Sequence, residues 1–268
     1  MSLSQKDIVQ AAENLFRAEQ TGIQTGLLSL AYPDMDMEDA YAVQAELVKR
    51  KIAAGGVVKG WKIGLTSKAM QDALKIDIPD SGILFEDMFF DNGATIPKGR
   101  FIQPRIEAEI AFVLKSDLTG PNVTRDDVLA ATDYVVPALE ILDTRIMRSD
   151  PQTGALRKIV DTISDNAANA GIVIGDQRHD PTDIDLRWIG AIVSKDGQVE
   201  ETGLGAGVLN DPVTGIVWLA NRLAQYGNAL SAGDVVLSGS FVRPIEATPG
   251  SQIIGDFGTF GSVTISFK

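Results

Sequence analysis

One apolar run carries two glutamates at alternate positions: Ile106-Glu107-Ala108-Glu109-Ile110-Ala111-Phe112-Val113. In a β-strand successive side chains point to opposite faces, so Glu107 and Glu109 share one face while Ile106, Ala108 and Ile110 share the other. Phe112 and Val113 continue without alternation, which implies cover on both sides. Two neighbouring carboxylates in such a strand repel each other and lose solvation. They must be protonated, paired, or holding a cation. The same alternation is also the ordinary pattern of a strand with one polar, solvated face, and the spacing alone leaves both readings open.

A third carboxylate, Glu140, lies in an equally apolar run, Val135-Val136-Pro137-Ala138-Leu139-Glu140-Ile141-Leu142. Three carboxylates without His or Cys specify a hard cation, Mg²⁺ or Mn²⁺, with further coordination positions left for water and substrate.

Around these runs the chain reads as α+β. Ser4 and Asp7 form a capping-box pattern ahead of Ile8, Ala12, Leu15 and Phe16, which share a helical face. A second helix is expected from Met37 to Ala54, with Ala40, Val43, Leu47 and Ile52 as its stripe and Gly55-Gly56 as its stop. Val57-Val58 and Trp61 to Leu65 read as strand, and Thr66-Ser67 can cap a short helix from Lys68 to Leu74. Further strands are expected over Phe101–Leu114, Tyr134–Leu142, Ala170–Ile174, Trp188–Ser194, Val235–Ser240 and Ser262–Phe267. One helix capped by Thr124 and another from Val213 to Tyr226 interrupt them. Strands and helices do not alternate regularly, which argues against a doubly wound sheet. We expect a mainly helical N-terminal part, residues 1–75, and a β-rich catalytic domain, 76–268, with one continuous domain as the alternative.

Charge narrows the partners. The formal net charge of −12 repels nucleic-acid phosphates and anionic membranes, and an anionic substrate would need a local metal or Arg/Lys cluster. The absence of cysteine excludes disulfides and thiolate metal sites. With no signal-peptide pattern and no apolar run near the ~20 residues of a membrane helix, a cytoplasmic protein is expected.

Several stretches together resemble the fumarylacetoacetate-hydrolase-like superfamily. Pro104-Arg105-Ile106-Glu107-Ala108-Glu109 with Pro137-Ala138-Leu139-Glu140 looks like its metal site. Lys62-Ile63-Gly64-Leu65-Thr66-Ser67, Pro79-Asp80-Ser81-Gly82, Ala131-Thr132-Asp133-Tyr134 and Asp165-Asn166-Ala167 resemble the hydratase and decarboxylase branch of aromatic meta-cleavage pathways. The resemblance runs from about residue 30 to the C-terminus. It implies layered, mixed but mostly antiparallel sheets around the site, and a homo-oligomer. It implies Glu107, Glu109 and Glu140 as ligands of Mg²⁺, with Mn²⁺ as the other candidate, and acid/base roles for Lys62 and Asp80. The implied reaction is metal-dependent hydration of a 2-oxo dicarboxylic acid. Decarboxylation of a 2-oxo-3-enedioate would use the same metal site, and acylpyruvate-type hydrolysis and a non-catalytic scaffold are further alternatives.

A diacid needs a second anion partner, and Arg243 in Ser240-Phe241-Val242-Arg243-Pro244 suits bidentate carboxylate recognition. Asn166, with Asn169, is a candidate for holding water or substrate oxygens. Arg105, with Arg145, is a candidate for neutralising the carboxylates. The ordinary alternatives are a surface arginine, backbone-satisfying asparagines, and Asp80 as a turn residue. His179 sits in a polar turn, poorly placed to activate water. Thr202-Gly203-Leu204-Gly205-Ala206-Gly207 reads as a turn rather than a nucleotide loop.

Overall fold

The computed structural model describes residues 2–68, 71–72, 76 and 78–268. Three helices open the chain: α1 (Gln5–Thr21), α2 (Leu28–Ala31) and α3 (Met37–Ala53). α1 begins with the reciprocal cap expected, in which the Asp7 N–H donates to Ser4 Oγ and the Ser4 N–H to the Asp7 carboxylate. It stops at Gly22, whose φ of 68° is left-handed. Asp36 and Asp39 cap α3 in the same way. The buried stripe of α3 runs through Ala40, Val43 and Leu47 and continues to Lys51, while Ile52, expected on it, is exposed. A four-residue step from Leu47 reaches Lys51. Its ammonium snorkels to Glu19 at 2.7 Å and lies over the Phe85 ring. The helix expected over Lys68–Leu74 lies largely outside the described residues.

Thirteen strands follow: β1 (Val58–Gly64), β2 (Asp80–Phe85), β3 (Phe89–Phe90), β4 (Thr95–Ile96), β5 (Arg105–Leu114), β6 (Thr132–Leu142), β7 (Asn169–Ile174), β8 (Gly190–Lys195), β9 (Gln198–Leu204), β10 (Val235–Leu237), β11 (Ile245–Glu246), β12 (Gln252–Asp256) and β13 (Ser262–Phe267). Helices α4 (Arg125–Ala131), α5 (Ile159–Ser164) and α6 (Pro212–Ala224) lie among them. The strands form an eight-stranded sheet in the order β2-β1-β10-β5-β6-β7-β3, with β11 also paired to β5, and a five-stranded sheet β4-β13-β12-β8-β9. Most pairings are antiparallel, and β1–β10, β3–β7 and β4–β13 are parallel.

Some boundaries differ from expectation for identifiable reasons. The strand expected from Phe101 begins at Arg105, because Asp143 accepts the N–H groups of Ile102 and Gln103 at 2.8 and 2.7 Å. Thr202–Leu204 belong to β9, an edge strand with most residues exposed and hence no apolar alternation to read. Asp196 and Gly197, at φ 51° and 79°, make the two-residue turn that closes the β8–β9 hairpin. β1 is hydrogen-bonded between β2 and β10, so residues on the N-terminal side of the expected boundary at 75 are part of the large sheet.

The main core joins one face of the large sheet (Ile106, Ile110, Leu139, Ile141) to α6 (Ile216, Leu219) and to the small sheet (Ile253, Val263, Ile265). A second apolar cluster ties α1 and α3 to Ile146, Val160 and Ile163.

Candidate active site

Register brings distant residues onto the opposite face of the large sheet. In the antiparallel pair β5–β6, Glu107 lies opposite Glu140 and Glu109 opposite Ala138. β10 bridges β5 to β1, with Ala111 opposite Leu237 and Leu237 opposite Lys62. β2 adds Gly82 opposite Lys62 and Asp80 opposite Gly64. Directly paired residues point the same way. Glu107, Glu109, Glu140, Lys62 and Asp80 therefore project from one face, alongside the apolar Ala111, Val136, Ala138, Ile172 and Leu237. This surface is covered, so Glu109, Glu140, Lys62 and Asp80 are buried and Glu107 half-buried. The solvated polar face that the Glu-Ala-Glu alternation also allowed is thereby excluded.

Each of the three glutamates offers an oxygen within 4.8 Å of the other two. Glu109 Oε2 accepts the Gly239 N–H at 2.8 Å, but Glu109 Oε1 and both Glu140 oxygens are buried without a hydrogen-bond partner among the described residues. Lys62 Nζ stands 3.4 Å from Glu140 Oε1, an ion pair that does not meet hydrogen-bond geometry. Buried oxygens without partners are costly, and one hard cation bonded at about 2.0–2.6 Å would satisfy all three carboxylates. The donor set therefore fits a divalent metal.

The electrostatics agree. Burial, then the neighbouring Glu140, pushes the Glu107 carboxyl up to about 8. Burial raises Glu109 well above the usual range with Glu140 and Glu107 adding to it, and burial raises Glu140 against the pull of Lys62. Burial opposes the charge on Lys62, yet Glu140, Asp80, Glu107 and Glu109 together hold its pKa above the ordinary value. Burial raises Asp80, and Lys62 resists it. Asp80 Oδ1 is a further buried oxygen without a hydrogen-bond partner among the described residues. A side chain at Gly64 would meet Asp80 Oδ1 at 2.2 Å and Lys62 Nζ at 3.0 Å, so glycine there lets the two groups share the site. Gly239, at φ 117°, delivers its N–H to Glu109 where a Cβ would strike the Thr66 side chain.

A pocket of about 510 Å³ opens on this cluster. Lys62, Asp80, Glu107, Arg105 and Arg243 all line it, with Thr66, Ser67, Ala167 and Ala168. Arg105 is bound to Glu246 at 2.6 Å, and the Arg243 side chain, 81% exposed, pairs with Glu201 at the rim. Asn166 is tied to β2: its amide donates to Ile83 O at 2.9 Å and its oxygen accepts from Ile83 N at 2.8 Å, which uses one donor and one acceptor position of the carboxamide. Asn169 likewise donates to Ile83 O. The run Asn166-Ala167-Ala168 takes left-handed φ values of 52°, 53° and 59°, a strained wall held by these bonds. Arg145 neither neutralises the glutamates nor pairs at the surface: buried, it binds Asp165 at 2.5 Å and the Asn169 and Asp165 carbonyls. His179 bonds to Phe260 O at 2.9 Å and stacks on the Phe260 ring, away from the glutamates. Arg157, which the sequence did not single out, also lines the pocket. It sits in Leu156-Arg157-Lys158, a stretch with no motif to mark it.

No protein-family model matches the chain. The 2-oxo-hept-4-ene-1,7-dioate hydratase of Escherichia coli is 53% identical over 256 residues, 96% of each chain. The 2-keto-4-pentenoate hydratase of Paraburkholderia xenovorans is 40% identical over 259 residues, 97% of this chain and 94% of that one. Among solved structures, 4-oxalocrotonate decarboxylase from Pseudomonas putida G7, complexed with magnesium and adipate, superposes with a TM-score of 0.92 at 32% identity over 99% of both chains.

Proposed function

This chain belongs to the hydratase and decarboxylase branch of the fumarylacetoacetate-hydrolase-like superfamily, and on that premise we propose that it is a Mg²⁺-dependent hydratase of 2-oxo-hept-4-ene-1,7-dioate, forming 4-hydroxy-2-oxoheptanedioate. The observation that carries the reading is one buried sheet face presenting three glutamates for a metal together with Lys62 and Asp80. Identity to the hydratases, at 53% and 40%, favours water addition over the decarboxylation that the same metal site would serve. Cytoplasmic location, homo-oligomeric assembly and a place in homoprotocatechuate breakdown complete the proposal. Among the described residues no helix is long and apolar enough to cross a membrane.

Glu107, Glu109 and Glu140 would hold a divalent cation, which would supply Lewis-acid stabilisation of an enolate. The chain's own groups handle the protons. Asp80 Oδ1, buried and without a partner, accepts the proton from C3 of the substrate and returns it at C5, which moves the double bond into conjugation with the ketone. Its raised pKa suits both acceptance and return. Lys62 stays cationic and donates a hydrogen bond towards the developing negative charge. Water then adds at C4, and C3 regains a proton. Arg105 and Arg243 at the rim attract the dianion, and Asn166 acts by positioning β2.

The deciding experiment incubates purified protein with Mg²⁺ and the diacid, followed by mass analysis. Gain of one water, abolished by EDTA and restored by Mg²⁺, is the expected result. Loss of carbon dioxide would transfer the protein to the decarboxylases with the same site, and no turnover would remove the diacid reading.

A further inference from the structure

One pocket is lined by the carboxylates of Asp80 and Glu107 and by the guanidiniums of Arg105, Arg157 and Arg243, and one of those guanidiniums has no carboxylate in ion-pair contact among the described residues. Arg145 is closed by Asp165. Arg105 and Arg148 share Glu246 at 2.6 and 2.7 Å. Arg157 forms no ion pair among the described residues. Among those residues its side chain makes one hydrogen bond, from Nη1 to Thr144 Oγ1 at 2.6 Å. A guanidinium carries five N–H donors, so most of its fork is unspent.

The position is unfavourable for a cation left alone. Arg157 is partly buried, and burial works against its charge. Asp165 supports that charge from a distance and Arg157 in turn helps to hold Asp80 down, but Arg148, Arg105 and Arg145 crowd it. In a chain of net charge −12, an arginine crowded by arginines marks a site built to meet an anion. Its backbone is fixed, with the Arg157 N–H on Arg148 O at 3.0 Å, and its side chain lines the same pocket as Lys62, Asp80 and Glu107. Arg243 lies in that pocket too, but it is mostly in water and already holds Glu201. An exposed, paired arginine contributes little to recognition, while a desolvated fork contributes much.

We propose that Arg157 binds the substrate carboxylate remote from the 2-oxo acid and thereby selects dianions over monoanions. This rests on the hydratase reading above and replaces Arg243 as the carboxylate's main partner. The pocket then orients a diacid end to end, the 2-oxo acid at the glutamates and the far carboxylate at the guanidinium.

The test compares two substrates on the full chain with Mg²⁺. Arg157→Met should lower kcat/KM for 2-oxo-hept-4-ene-1,7-dioate at least about 100-fold. For 2-keto-4-pentenoate, which lacks the second carboxylate, the change should stay within about threefold. Arg157→Lys, which keeps charge without the fork, should fall between wild type and Arg157→Met on the diacid. Equal losses on both substrates would overturn the proposal, since Arg157 would then serve the fold or Asp80. So would an unchanged diacid rate, or a selective loss seen only with Arg243→Ala. Calorimetry with adipate and hexanoate reads the same discrimination without turnover: wild type should prefer the diacid, and Arg157→Met should erase the preference. If wild type hydrates neither substrate, the hydratase reading fails, while the adipate preference still decides whether Arg157 reads a second carboxylate.

Discussion

Asp39 in the helical layer and Glu109 in the large sheet are both buried carboxylates, 0% and 1% exposed. Asp39 accepts four hydrogen bonds, from Ser2 N, Ser2 Oγ, Leu3 N and Asp36 N, between 2.8 and 3.1 Å. Burial alone would raise its pKa, but these donors hold it far below the usual carboxylate range. Glu109 accepts one, from Gly239, and faces two more carboxylates. Its pKa is raised well above the usual range. Asp161 and Asp165 are likewise hydrogen-bonded by the fold, the first by Ser29 and Lys158, the second by Arg145, although burial still raises Asp165 against the pull of Arg145. Burial therefore does not distinguish a structural acid from a functional one. The difference lies in whether the fold completes the carboxylate's hydrogen bonds or leaves them for something that arrives.

That contrast can be broken by substitution. Glu109→Gln should abolish metal binding and cut turnover at least about 10³-fold, on the order of 4 kcal/mol, without lowering apo stability. Calorimetry with Mg²⁺ and urea denaturation check both halves. A destabilised but still active variant would put Glu109 in the class of Asp39. Arg145→Met strands Asp165 and should cost about 3 kcal/mol of stability, with metal affinity retained by whatever fraction stays folded. Asp39→Asn should cost about 2 kcal/mol and leave kcat and metal affinity unchanged. Loss of activity at full stability would contradict it.

The effect of pH is the most gradual. Unfolded, Glu107 has an ordinary carboxyl, ionised above about pH 4.5, whereas in the native apo site it stays protonated up to about 8. The native state then binds more protons than the unfolded one, so apo stability should fall as pH rises from 6 to 8, by roughly 1 kcal/mol per pH unit for one proton. Saturating Mg²⁺ should flatten that slope, because a cation replaces the protons. Urea midpoints at pH 6 and 8, with and without Mg²⁺, give the answer, and equal slopes would count against a metal at the glutamates.

Much of the site was legible because its carriers are local. The period of two in Ile106-Glu107-Ala108-Glu109-Ile110 placed two carboxylates on one face, and the capping pairs Ser4–Asp7 and Asp36–Asp39 begin α1 and α3 as side-chain chemistry dictates. Lys62 and Asp80 entered through the resemblance. Strand pattern by itself gives no reason to set Lys62 beside Glu140, a contact across two intervening strands. Arg145 was misplaced because a polar side chain near a motif looks the same whether it meets ligand or the fold's own groups. Arg157 carried no signal, since its meaning lies in the partner it lacks.

The sequence by itself determined the α+β class, the apolar strands and the carboxylate chemistry, because period, capping and donor type are properties of neighbouring residues. Only the tertiary structure decided which buried acids are satisfied, which face of the sheet is closed to water and which arginine of the pocket has no ion pair among the described residues. Those depend on register between strands and on contacts between residues dozens of positions apart, and no local pattern records them.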